Sequence, residues 1–170
     1  MKRNSTFFDS KTVLILYTSL VRPILEYNTP VWNPHLTCQS NKIENVQRKF
    51  VRYMCFKESI IRDNFTYSNL LTRFNMLSLF QRRQVNDILT VHKVLNKFDC
   101  DNILRCVNFH VPNNTRFRKL FTTNFHTSNY LKDLGLNRML ENCNRLNEVT
   151  DVDFAMQSIL ELKMKSIKFF

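Results

Sequence analysis

From Asp9 or Ser10 onward, apolar residues recur at helical spacing through Val13, Leu14, Leu16, Tyr17, Leu20, Val21 and Leu25, which predicts an amphipathic helix with one of those two polar residues as its N-cap. Pro23 is expected to bend or interrupt it, because proline lacks an N–H and its ring collides with the carbonyl four residues back. Tyr27 to Pro34 contains two prolines and Trp32, and reads as a packed, extended connector. A second helix is predicted from Thr37 or Ser40 to Phe56. Ile43, Val46, Phe50, Tyr53 and Met54 fall on its inner face, and Lys42, Arg48, Lys49 and Arg52 on its outer face. A short helix over Ser68–Phe74 precedes a long one over Leu77–Phe98. In the long helix Phe80, Ile88, Val91, Leu95 and Phe98 are expected inside, and Arg82, Arg83, Asn86, Thr90, Lys93 and Lys97 outside.

Beyond Cys106 the pattern changes. Val107, Phe109 and Val111 alternate with polar residues, and a Phe-, Thr- and Asn-rich run extends to about Tyr130, so loop with short extended pieces is expected. Helical spacing returns from Leu136 to Leu146 and from Asp153 or Phe154 to Ile167. The pattern predicts a mainly α fold, a helical bundle with a long irregular segment around 106–130. Residues 1–100 are expected to form the bundle, and 101–170 a trailing segment with a loop and two helices.

Composition agrees. Of the 170 residues 44% are apolar and 15 are Phe, enough to build a core and too many for a disordered chain. With one Gly and four Pro, the tight turns of a hairpin-based sandwich or barrel are hard to build. The net charge of +11 is spread along the chain, the footprint expected of a protein that meets phosphate backbones. An anionic membrane or an acidic protein partner would select the same balance. The apolar stretch from Val13 to Leu25 is broken by Tyr17, Thr18, Ser19 and Arg22, so neither a signal peptide nor a membrane span is expected. The protein is expected to be intracellular, cytoplasmic or nuclear, and not secreted.

The residues offer little chemistry. Cys38, Cys55, Cys100, Cys106 and Cys143 form no CxxC pair and have no His at ligand spacing, so reduced structural thiols are expected. Asp99 with Asp101 and Asp151 with Asp153 are each two residues apart, a spacing that turns carboxylates away from each other on a helix. They are expected to be loop acids or caps rather than ligands of a metal pair. His35, His92, His110 and His126 are scattered, and His92 is expected at the border of the core. No nucleophile elbow or phosphate-cradling glycine loop occurs. No catalytic residue, metal site, cofactor or small-molecule substrate is therefore expected. The two basic helix faces remain, with Lys42, Arg48, Lys49, Arg52, Arg82 and Arg83 as candidate phosphate contacts. Tyr53, Phe56 and Tyr67 lie near them but are expected in the core rather than stacked on bases.

The stretch Leu16-Tyr-Thr-Ser-Leu-Val-Arg-Pro-Ile-Leu-Glu-Tyr-Asn-Thr-Pro-Val-Trp-Asn-Pro34 resembles the region that follows the polymerase core in LINE-type, non-LTR retrotransposon reverse transcriptases of the jockey and CR1 sort. Ile43-Glu-Asn-Val-Gln-Arg-Lys-Phe-Val-Arg52 resembles that family's IExVQRxFxR helix. Leu79-Phe-Gln-Arg-Arg83 follows in the family's order, with weaker similarity through Val111-Pro112, Thr115-Arg116, Asn137-Arg-Met139 and Asn144. The resemblance implies a thumb-like helical bundle that grips a template–primer duplex by its backbone. The family's catalytic aspartates belong to a FADD- or YADD-type motif, and neither occurs here, so no polymerase activity is expected of these residues. The implied partners are an RNA/DNA duplex and the polymerase domain itself, with no membrane. Glu26, Tyr27 and Trp32 are expected to hold the connector against the bundle, and Leu14, Leu20, Val31 and Trp32 to be exposed without that domain. The alternative is a standalone basic helical module that binds nucleic acid or another protein.

Overall fold

The computed structural model describes residues 7–60, 66–96, 101–110, 119–123, 127, 134–150, 152–154 and 156–170. Lys97, Phe98, Asp99, Cys100, Val111, Pro112, Thr115, Arg116, His126, Tyr130 and Asp151 lie outside them. The fold is mainly α, as the periodicity predicts. The chain forms two compact units, one of residues 1–28 and 36–80, the other of residues 29–35 and 81–170. This division comes at 80/81, whereas the boundary expected from the sequence lies at 100/101.

In the first unit, α1 (Ser10–Leu16) continues through a π-helical turn (Tyr17–Val21) into α2 (Arg22–Glu26). Pro23 therefore does not break the helix. The amide of Arg22 reaches five residues back to the Tyr17 carbonyl, and the widened turn absorbs the clash that the proline ring would cause in a regular helix. The Ser19 hydroxyl donates to the Ile15 carbonyl within the same turn (2.8 Å).

Helix α4 (Thr37–Lys57) and helix α5 (Tyr67–Arg73) complete this unit. Its core joins Val13 and Tyr17 to Phe50, Val51, Met54, Cys55, Leu71, Phe74 and Met76. Tyr17 and Phe50 stack at 3.8 Å between ring centroids. With no glycine here, α4 and α5 end on non-glycine residues in the left-handed region, Ser59 (φ 52°) and Asn75 (φ 49°). Both ends show the paired bonds of a Schellman cap. Ile60 N–H donates to the Cys55 carbonyl and Ser59 N–H to Phe56; Met76 N–H donates to Leu71 and Asn75 N–H to Thr72.

The connector is not extended. Thr29–Trp32 makes one helical turn, α3, which belongs to the second unit. Thr29 is fully buried there, while Tyr27, Val31 and Trp32 are exposed. In this turn Thr29 is the buried residue, and the Pro30 carbonyl accepts from Arg138 Nη2 at 2.7 Å. A Cβ on Gly135, the chain's one glycine, would lie 3.1 Å from that same carbonyl oxygen, a tight contact that would push the two apart by a few tenths of an ångström.

The rest of the second unit comprises α6 (Leu79–Asn96, assigned here from Gln81), α7 (Asp101–Leu104), a two-stranded antiparallel ladder, α8 (Gly135–Val149) and α9 (Ile159–Phe169). The ladder pairs β1 (Asn108–Phe109) with β2 (Phe121–Thr122). Ile88, Val91, Phe121, Leu140, Leu146, Phe154 and Leu162 lie at the centre of its core. The Asn144 side chain accepts from the amides of Leu120 and Phe121 and donates to the Phe121 carbonyl, standing in for a further strand beside β2. Helix α9 begins with a capping box in which Ser158 and Glu161 bond reciprocally, so Phe154 packs in the core ahead of the helix rather than within it.

Candidate nucleic-acid interface

Helix α4 is the element that carries charge outward. Its only carboxylate, Glu44, is buried, as are Gln47, Phe50, Val51, Met54 and Cys55. At alternating spacings of three and four, Lys42, Asn45, Lys49, Arg52 and Phe56 form one exposed stripe. Lys42 and Arg52 are separated by ~15 Å along the axis at 1.5 Å per residue. No acidic side chain of α4 shares this stripe, so nothing on the helix neutralises its three cations.

The inner face is polar at its heart. The Glu44 carboxylate accepts from the Tyr67 hydroxyl at 2.6 Å and from the backbone amides of Leu79 and Phe80 at 3.3 and 3.2 Å, so it caps the start of α6. Gln47 accepts from the Tyr17 hydroxyl (3.2 Å) and donates to Tyr67 Oη (3.3 Å) and the Leu77 carbonyl (2.9 Å). Burial pushes the Tyr67 pKa well above its ordinary value, and the hydrogen bond to Glu44 adds to the rise. Glu44, Gln47 and Phe50, which carry much of the sequence resemblance, are thus inward-facing structural residues.

The six candidate cations separate. Lys42, Lys49 and Arg52 stand on the exposed stripe. Arg48 is only partly exposed. Its guanidinium lies 5.2 Å from the centre of the Tyr67 ring, and Nη1 donates to Asn45 at 3.4 Å. Arg82 is half-buried and belongs to the other unit. Arg83 must be corrected outright: it is 1% exposed and cannot touch a phosphate from outside. The two-faced reading of α6 fails because that helix is buried nearly all round, with Arg83, Gln84, Val85, Asp87, Ile88, Val91 and His92 inside. Phe80, expected inside, is 52% exposed.

Asp87 explains why a cation is tolerated there. Its carboxylate accepts from Arg138 Nε at 3.0 Å and from Asn142 Nδ2 at 3.0 Å, and it also feels the charge of Arg83 one turn earlier. Burial raises the Asp87 pKa, and Arg138, Asn142 and Arg83 oppose the rise. A buried acid four residues after a basic one was visible in the sequence as an Arg83–Asp87 pair; its partner Arg138, 51 residues away, was not.

His92 is buried, with Nε2 3.0 Å from the Gln157 carbonyl, so it belongs to the core rather than its border. Of Tyr53, Phe56 and Tyr67, Phe56 departs from expectation at 72% exposed. Among the described residues the cysteines are free, no three His, Cys, Asp or Glu side chains gather as a metal site, and no helix is long and apolar enough to cross a membrane. No protein-family model, curated protein or solved structure matches this chain.

Proposed function

We propose that the chain is a non-catalytic, thumb-like piece of the LINE-type reverse transcriptase kind that grips the sugar-phosphate backbone of a template–primer duplex along α4. The observation that carries this reading is the stripe of Lys42, Lys49 and Arg52, whose helix turns its one carboxylate inward. Backbone gripping needs cations at intervals along a rigid element and no base-reading motif, which suits such a stripe. Fluorescence anisotropy with an RNA/DNA hybrid, duplex DNA and single strands, each titrated across salt, tests it. Binding to the hybrid with a steep negative log–log salt slope is expected; a folded chain that binds none of the three would overturn the reading.

A second reading is favoured by Ile15, Leu20 and Ile24, all exposed. Spaced by five across the π turn and by four beyond it, they share one side of the first helical run. Such a face suits a protein partner, and under the first reading that partner is the polymerase domain. Binding of a hydrophobic dye to the isolated chain, with self-association on size exclusion, is the expected sign of it; a monomer that binds no dye would argue against it.

A further inference from the structure

Beside the α4 stripe the first unit holds a partly open cavity of ≈ 250 Å³, lined by Arg48, Val51, Arg52, Cys55, Ile60, Tyr67 and Leu70. Two observations set it apart from a packing defect. Two arginines, Arg48 and Arg52, line a space whose other walls are largely apolar. In addition, Nε of Arg48 is buried with no hydrogen-bond partner among the described residues. A buried cationic donor without an acceptor is costly, and an anion supplies the acceptor. The nearby carboxylate of Glu44 is engaged by Tyr67, Leu79 and Phe80.

We propose that this cavity receives a single unpaired nucleotide of the bound nucleic acid, with its phosphate at Arg48 and Arg52 and its base against Val51, Ile60 and Leu70. The proposal rests on the backbone-gripping reading above. Arg52 belongs both to the exposed stripe and to the cavity wall, so a strand tracking the stripe passes the cavity mouth. A base paired within a duplex cannot enter, so the occupant is a terminal overhang or an extruded nucleotide. An apolar recess beside guanidinium groups fits a flat base joined to a phosphate, and requires no sequence preference.

The test compares a blunt RNA/DNA hybrid with one carrying a single-nucleotide 3′ overhang, against the wild-type chain and Arg48→Met, which keeps an apolar stem on Tyr67 but removes the donors. The wild type is expected to bind the overhang hybrid about tenfold more tightly, the scale of one charge-assisted hydrogen bond. Arg48→Met should lose that preference and bind the two hybrids equally. Blunt binding with no overhang preference, or a preference that survives in Arg48→Met, overturns the cavity assignment and leaves the backbone reading standing. Binding of neither hybrid overturns both. If Arg48→Met does not fold, methyl NMR of the wild type decides. A nucleoside 5′-monophosphate should shift the Val51, Ile60 and Leu70 methyl signals where inorganic phosphate and the bare nucleoside do not. Equal shifts with all three, or none, overturn the proposal.

Discussion

The Glu44 carboxylate, inside α4, holds the Tyr67 hydroxyl at 2.6 Å, and through its bonds to Leu79 and Phe80 it also fixes where α6 begins. One side chain thus ties α4 to α5 and to Leu79 and Phe80, all within the first unit. Its inward turn also leaves the outer stripe of α4 without a negative charge.

Glu44→Ala strands the Tyr67 hydroxyl and two helix-start amides, so it is expected to cost about 2–3 kcal/mol. Urea denaturation followed by circular dichroism measures this. A midpoint equal to that of the wild type would contradict the role given to Glu44.

Alkali should find the same site. The folded pKa of Tyr67 lies above its unfolded value, so its contribution to stability is whole below about pH 10 and is lost as the pH climbs beyond it. In an ultraviolet titration the Tyr67 phenol should ionise only as the protein unfolds, and the late-ionising amplitude should fall in Tyr67→Phe. Five tyrosines titrating together near their ordinary value would contradict the burial argument.

Much of this was legible in the sequence, and the failures have physical causes. The periodicity of residues 37–57 located α4 because a long helix with one apolar side repeats its signal over several turns. It did not foresee the burial of Glu44 and Gln47, because a periodicity argument sorts residues by polarity, whereas these two satisfy one another's neighbours inside. Arg83 failed for the same reason on α6: a helix buried nearly all round has little outer face, and the charge that makes Arg83 tolerable comes partly from the Asp87 network closed by Arg138. The Ser158–Glu161 capping box was readable as Ser-x-x-Glu and would have started α9 several residues later than the apolar spacing suggested. That the bend or interruption expected at Pro23 takes the form of a π turn was not readable, because a chain meeting a proline can kink or widen.

The Asp87–Arg138 pair predicts a strong coupling. Asp87→Ala leaves the buried Arg83 and the partly buried Arg138 without their carboxylate and should cost about 3–5 kcal/mol, while Asp87→Ala combined with Arg138→Met should cost less than the two single changes added together. Chemical denaturation of the three variants measures this. Strict additivity would mean that the two side chains do not act as a pair.

Ser59 and Asn75 hold left-handed conformations that glycine adopts without strain. Ser59→Gly should therefore stabilise the first unit by about 0.5–1 kcal/mol, the relief of strain exceeding the added chain entropy. A rise in the thermal midpoint supports the cap geometry at the end of α4, and a fall contradicts it.

The most direct test of the backbone grip is the salt dependence of binding to an RNA/DNA hybrid by the wild type, by Lys42→Ala/Lys49→Ala/Arg52→Ala, and by Lys163→Ala as an exposed control on α9. With roughly 0.9 of a log unit lost per phosphate contact removed, the triple variant should lose about 2–3 units of slope while the control keeps the wild-type line. If the triple variant stays folded and binds with an unchanged slope, the α4 stripe does not hold the backbone.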